Sequence, residues 1–333
     1  MMFDKGTDRL CILFYKGTDR LRILFHKGTD RFCIVSLDKI NLPFCCVTKR
    51  DRLFLTDMNR KEISMNDDSQ KLNRLTSRIF WLAHDDQFDR PILGYVRGDR
   101  FSLAIDAGNS AAHAARFAEC LDAEKLPCPT FTVITHWHWD HTFGMHAVPG
   151  MTIASRGTDQ MLRKVATWNW TDDAMNARLV NGEDIAFCDA CIRLEYPDQP
   201  HTGEENHPSV MKDPLQRDRS TIRVVPPIMA FEGTLTLDLG GVHAVLIHVG
   251  GPHSSDSVII YIPEEKALFL GDADGADHYF NNGCYDKEKL TALLHALESL
   301  DFTHTLPGHD EPETKGKTIA FLMEELARPT SGT

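Results

Sequence analysis

The stretch Thr135-His136-Trp137-His138-Trp139-Asp140-His141-Thr142-Phe143-Gly144 places four metal-ligating side chains within six residues. It follows Phe131-Thr132-Val133-Ile134-Thr135, a short β-branched run that reads as a strand. In an extended or turning segment His136 and His138 point to one side, while Asp140 and His141, at the bend, reach a second position. Two adjacent metal sites follow from that alternation. Imidazole and carboxylate donors suit zinc, with iron or manganese as alternatives.

Two ions need more donors than this stretch provides, and three later residues stand where strands end. His253 lies in the glycine-rich turn Gly250-Gly251-Pro252-His253-Ser254-Ser255-Asp256-Ser257. Asp272 follows the apolar run Ala267-Leu268-Phe269-Leu270, and His309 follows Leu306-Pro307-Gly308. With the H-x-H-x-D-H motif and the later His, Asp and His in this order, the chain from about Ile79 onward resembles the metallo-β-lactamase superfamily. The resemblance implies an α+β fold, an αββα sandwich of two mixed sheets flanked by helices. It also implies that His136, His138 and His253 hold a first metal, that Asp140, His141 and His309 hold a second, and that Asp272 bridges the two. All seven positions are filled.

The activity implied is that of a metallo-hydrolase using a hydroxide activated by two zinc ions, with Asp140 as the catalytic residue that orients it. No serine or cysteine nucleophile is required, and the chain has no G-x-S-x-G elbow. Superfamily members hydrolyse thioesters, lactones, β-lactams, sulfate esters and phosphodiesters, so the fold leaves the substrate open. Thioesterases of the glyoxalase II type carry a long helical C-terminal domain, whereas 24 residues follow His309 here, which disfavours a strict glutathione-thioester role. Flavodiiron-type members have glutamate in place of the second motif histidine, so His138 disfavours oxygen reduction. The expected substrate is a small ester, thioester or lactone; the alternatives are a β-lactam, a phosphodiester or, in another class, a zinc-stabilised binding module without catalysis. Asp274, His278, Tyr279 and Asn281, in the loop after the bridging aspartate, are candidate substrate contacts. Asp256 stands where many relatives have glycine, and either supports the metal site from behind or faces the pocket.

Composition narrows the partners. A net charge of −12 disfavours nucleic acid, because binding to a phosphate backbone needs Lys and Arg to displace counterions. No apolar run approaches the roughly 20 residues of a membrane span, and the N-terminus lacks a signal-peptide pattern. The chain therefore reads as a soluble, cytoplasmic enzyme of a small molecule. Nine cysteines without regular spacing point to reduced thiols. Cys188 and Cys191 have redox or zinc-ligand spacing, but lack a second pair and read as ordinary thiols.

The beginning of the chain differs from the rest. Lys-Gly-Thr-Asp-Arg recurs at residues 5–9, 16–20 and 27–31, each time before a short apolar run. Residues 1–64 read as an N-terminal extension, disordered or non-native, with a small β-ribbon as the other possibility. Residues 65–333 read as the hydrolase domain, with an insert or cap at about 151–231 that contains a helix at 159–168 and a polar loop at 197–208. Trp168, Trp170 and Met175 are candidates to line a lid over an acyl group, with ordinary packing within the cap as the equal alternative. Strands are expected at 79–82, 101–105, 131–135, 242–248, 257–262, 267–270 and 302–306. Helices are expected at 110–121, with Ser110 as cap, and at 287–300 and 315–327. His248 reads as a core residue, and His113 and His295 as packing or surface positions on helices. His201 and His207 fall in the polar loop. Trp137 and Trp139 read as packing beneath the metal loop.

Overall fold

Leu103, Ala104 and Ile105 show how the layers arise. Period-two alternation sends Leu103 and Ile105 into a core shared with Val258, Ile260 and Phe269, while Ala104 joins Phe117 and Leu121 of a helix on the other face. The same alternation runs through the strand at 258–262, where Val258, Ile260 and Ile262 face the shared core and Ile259 faces Leu290 and Leu293. A sheet buried on both faces needs an apolar partner on each side, and the result is helix, sheet, sheet, helix.

The computed structural model describes residues 71–197 and 218–328, together with the backbone of three strands at 9–14, 20–27 and 31–38. The chain divides into one unit of Met1–Asn66 with Thr330–Thr333 and a second of Asp67–Pro329. In the first unit β1 (Arg9–Phe14), β2 (Arg20–Lys27) and β3 (Arg31–Asp38) pair antiparallel in that order. Each begins at the arginine that closes one copy of the repeat.

In the second unit β4 (Leu72–Arg74), β5 (Ile79–Leu82), β6 (Leu93–Arg97) and β7 (Ser102–Ile105) run antiparallel to one another. Helix α1 (Ala111–Ala123) crosses over to β8 (Phe131–Val133), which is parallel to β7. Ser110 caps the helix as expected, accepting from the His113 backbone N–H. A single helical turn, α2 (Trp139–Thr142), precedes β9 (Met151–Ser155). Helices α3 (Arg156–Val165), α4 (Asp172–Asn181) and α5 (Ala186–Glu195) come before β10 (Met229–Phe231), the last strand of this seven-stranded sheet. The two ends of the segment 151–231 are part of the sheet, since β9 and β10 pair in parallel within it.

The second sheet has six strands: β11 (Thr234–Asp238), β12 (His243–His248), β13 (Val258–Ile262), β14 (Ala267–Gly271), β15 (His304–Pro307) and β16 (Glu313–Thr314). Only β14 and β15 are parallel, and α6 (Lys287–Glu298) makes the crossover between them. The chain closes with α7 (Lys315–Ala327), which packs with α6 over the outer face. Two mixed sheets flanked by helices are the expected sandwich.

Several expectations change. His248 is exposed, at the last position of β12, with Nε2 beside the Ser255 carbonyl at 2.9 Å. Met175 is fully buried and packs with Trp137, Trp139 and Phe143, and the half-buried Trp168 and Trp170 pack against the same cluster. The guanidinium of Arg178 lies over both Trp168 and Trp170, at 4.5 and 4.8 Å. Cys188 and Cys191 are buried free thiols on α5; elsewhere Cys120 is a buried free thiol and Cys128 an exposed one. His113 is buried and His295 exposed, each on its helix. His201, His207 and most of the loop at 197–208 lie outside the described residues. Among the described residues no helix is long and apolar enough to cross a membrane.

Every strand and helix that carries a residue of the metal motif belongs to the second unit. Deletion of residues 1–57 is accordingly expected to leave the far-ultraviolet circular dichroism of the remainder and its turnover unchanged. Insoluble protein after that deletion would show that the first unit supports the second.

Candidate metal centre

The seven residues converge from two directions. β8 delivers His136 and His138, and the turn α2 that follows carries Asp140 and His141. The other three come from loops at the ends of the second sheet: His253 after β12, Asp272 after β14 and His309 after β15. Donor atoms of His136, His138 and His253 lie within 4.8 Å of one another, and those of Asp140, His141, Asp272 and His309 form a second such group. Within the first, His253 Nε2 meets His138 Nδ1 at 2.9 Å. Within the second, Asp140 Oδ2 is 2.9 Å from His309 Nε2 and 3.0 Å from His141 Nε2.

Asp272 joins the groups. Its Oδ2 stands 3.4 Å from His141 Nε2, 3.5 Å from His309 Nε2, 3.7 Å from His253 Nε2 and 4.0 Å from His136 Nε2.

The charges are arranged in the same two halves. Burial, reinforced by the neighbouring imidazoles, holds His136 and His138 well below the usual histidine range, so both are neutral with a lone pair to give. In the other half burial opposes charge, yet the carboxylates prevail: Asp140 and Asp272 lift His141 well above its usual range and His309 to about 9. Asp272 is held well below the usual carboxylate range against the cost of burial, chiefly by His309 and His141. The buried Asp140 carboxylate and the half-buried Asp272 thus demand positive charge at one point. His136 Nε2, His141 Nε2 and Asp272 Oδ1 are buried without a hydrogen-bond partner, which is costly unless a cation satisfies them. The donor set, its charge and its unsatisfied atoms fit a pair of divalent ions.

Outer contacts orient the donors. His141 Nδ1 is 2.8 Å from Asp106 Oδ2, and the Thr135 backbone N–H and hydroxyl both donate to the same carboxylate. Asp106 closes β7 on left-handed backbone, φ 62°, an uncommon conformation for a residue other than glycine. His253 Nδ1 donates to the Ala276 carbonyl at 2.8 Å. Asp256 does not face the pocket. Its buried carboxylate accepts from Ser254 Oγ at 2.5 Å and Thr158 Oγ1 at 2.7 Å, tying the His253 turn to the start of α3. Sequence reading missed Asp106 and also Asp89, whose carboxylate accepts from the Trp139 indole N–H at 3.2 Å. Burial and the neighbouring Asp140 carboxylate push Asp89 up to about 7.

The four candidate substrate contacts separate. The Tyr279 ring packs against His138 and Trp137, at centroid distances of 4.9 and 4.7 Å, and its hydroxyl donates to Asp184 Oδ1 at 3.3 Å. His278 is exposed and Asp274 buried, while Asn281 donates to the Cys284 carbonyl within its own turn.

A model of the metallo-beta-lactamase superfamily matches residues 94–309, a span that contains all seven convergent residues. The chain belongs to the metallo-β-lactamase superfamily. It is a metallo-hydrolase of that fold, with a two-cluster metal-binding site. No curated protein matches it by sequence. Among solved structures, a metallo-beta-lactamase from Pontibacter korlensis is 16% identical with a TM-score of 0.49, covering 77% of this chain and 99% of that one. The inverting sec-alkylsulfatase Pisa1 from Pseudomonas sp. is 14% identical with a TM-score of 0.55, covering 83% of this chain and 46% of that one. The chain thus matches less than half the length of the alkylsulfatase, and the likeness is one of fold.

Proposed function

We propose that this metallo-β-lactamase-fold hydrolase cleaves a small ester, thioester or lactone with two zinc ions. The observation that carries the dinuclear reading is the position of Asp272 Oδ2, within 4.0 Å of four imidazole nitrogens drawn from both clusters. His136, His138 and His253 would hold the first ion, Asp140, His141 and His309 the second, with Asp272 between them. When bound, such a pair polarises an acyl oxygen and lowers the pKa of water from about 15.7 toward about 7.

The chain's own residues do the rest. Asp140, fixed between His141 and His309, orients the attacking water by accepting its hydrogen bond. Asp106 and the Ala276 carbonyl hold the rings of His141 and His253, so that the donors need not reorganise as charge develops. Tyr279 is the substrate contact with the most support, since its ring already lies on a metal-binding histidine. Asp274, His278 and Asn281 share its loop, with Asn281 turned to the Cys284 carbonyl. The Tyr279 ring beside His138 and the net charge of −12 both favour a small acyl group over an anionic polymer.

The test is a panel of thioesters, lactones, aryl esters, a chromogenic cephalosporin, a secondary alkyl sulfate and a phosphodiester, with metal content measured on the same preparation. Acyl compounds are expected to turn over faster than the phosphodiester and the sulfate. A phosphodiester cleaved at least as fast as every acyl compound would overturn the acyl reading and leave the dinuclear one intact.

A further inference from the structure

Metal-binding histidines work best when the nitrogen behind the metal donates to a fixed acceptor, which sets the tautomer and the ring plane. His141 has Asp106 and His253 has the Ala276 carbonyl. His309 Nδ1 is buried with no hydrogen-bond partner, and Asp89 Oδ1 faces it at 4.0 Å.

Asp89 is held in place with unusual care. Its backbone is left-handed, φ 51°, which costs a residue other than glycine about 1–3 kcal/mol unless the surroundings impose it. Those surroundings are present on both sides. The Phe88 carbonyl accepts from Asn109 Nδ2 at 2.7 Å, and the buried Arg90 guanidinium pairs with Glu195 at 3.3 Å. The Ile92 N–H donates at 2.7 Å to the carbonyl of Gly308, the residue before His309. Trp139, inside the metal motif, then binds Asp89 Oδ2 through its indole N–H and leaves Oδ1 toward His309. A segment fastened at Phe88, Arg90 and Ile92 thus aims one carboxylate oxygen at the one face of His309 that lacks a partner.

We infer that Asp89 is a positioning residue for His309, its Oδ1 accepting the Nδ1–H so that Nε2 is presented to the second ion, with Trp139 holding the carboxylate in register. The inference rests on the reading of His309 as a ligand. It requires the Asp89 side chain to rotate so that the 4.0 Å between Oδ1 and Nδ1 shortens to hydrogen-bond distance.

The test measures stepwise metal affinity of the full chain by chelator competition. Asp89→Gly tolerates left-handed backbone and removes the acceptor; Asp89→Asn keeps an acceptor oxygen. The glycine variant is expected to bind the second ion roughly 10–100-fold more weakly with the first ion unaffected. The asparagine variant is expected to recover most of that loss, and Trp139→Phe to show a smaller loss at the second ion. Nitrogen-15 shifts of the His309 ring should report a protonated Nδ1 in the wild type and a mixture of tautomers in Asp89→Gly. Wild-type affinity for both ions in Asp89→Gly, or equal weakening of both, would overturn the inference while leaving His309 a ligand. A wild-type chain that binds fewer than two ions would overturn the dinuclear reading itself, and the inference with it.

Discussion

Asp272→Ala should lose an ion and the activity together. The wild-type chain, expressed with ample metal and purified without chelator, should carry about two divalent ions, because seven donors exceed what one tetrahedral ion can use. Asp272 Oδ2 is the oxygen nearest to being shared, standing 3.4–4.0 Å from imidazoles of both clusters. Its removal leaves Asp140 as the carboxylate that faces Nε2 of both His141 and His309, so the second ion is held by fewer and less balanced charges. Elemental analysis should find no more than about one ion per chain. The rate should fall by at least on the order of 10²-fold, the scale on which a single electrostatic contributor to a transition state is felt. Both ions retained at full rate would remove Asp272 from the centre. A wild-type value of one or less would mean that the two clusters do not act as a pair.

Gly308→Ala should reproduce much of that effect without touching a ligand. A β-carbon at Gly308 would lie 1.8 Å from Asp272 Oδ1, a distance that real β-carbons essentially never show, and 3.0 Å from its Cγ. The backbone cannot retreat easily, since Gly308 N–H donates to the Gly271 carbonyl at 2.9 Å and its own carbonyl accepts from Ile92 at 2.7 Å. The Asp272 carboxylate must therefore turn aside, out of the position between the clusters. Weakened binding of an ion and a fall in rate on the order of 10²-fold are expected. The fold should survive, because a side-chain rotation relieves the clash, so thermal unfolding by circular dichroism should move little. Unchanged metal content and rate in Gly308→Ala would show that Asp272 works from another rotamer.

The donors were legible in the sequence because each stands at a strand end and their order is characteristic. The strands at 79–82 and 267–270 and the closing helix at 315–327 were legible for the ordinary reason that their apolar periodicity is strong. β6 was not: Leu93-Gly94-Tyr95-Val96-Arg97 has glycine at its second position, and only the structure shows Phe269 of the opposite sheet occupying the space above it. β9 and β10 were read as part of an irregular insert because each is short; the pairing of Ile153 with Met229, far along the chain, makes them sheet. Met175 read as a lid residue because its neighbours are tryptophans, and the same neighbours bury it. Asp106 and Asp89 were invisible as positioning residues, since an aspartate in a turn has the same local pattern whether it closes the turn or reaches a histidine far along the chain. Tyr279 could be named as a neighbour of the site, but its stacking on His138 depends on the course of the whole loop.

The donors come from both sheets: His136, His138, Asp140 and His141 from the seven-stranded one, His253, Asp272 and His309 from the six-stranded one. An unfolded chain has no such convergence, so metal uptake and the docking of the two sheets are linked by mass action. One ion at a hundred times its dissociation constant adds about 2.7 kcal/mol to the folded state. Melting temperature for this protein is consequently a function of free metal, and a chelator acts on it as a denaturant that leaves the solvent unchanged.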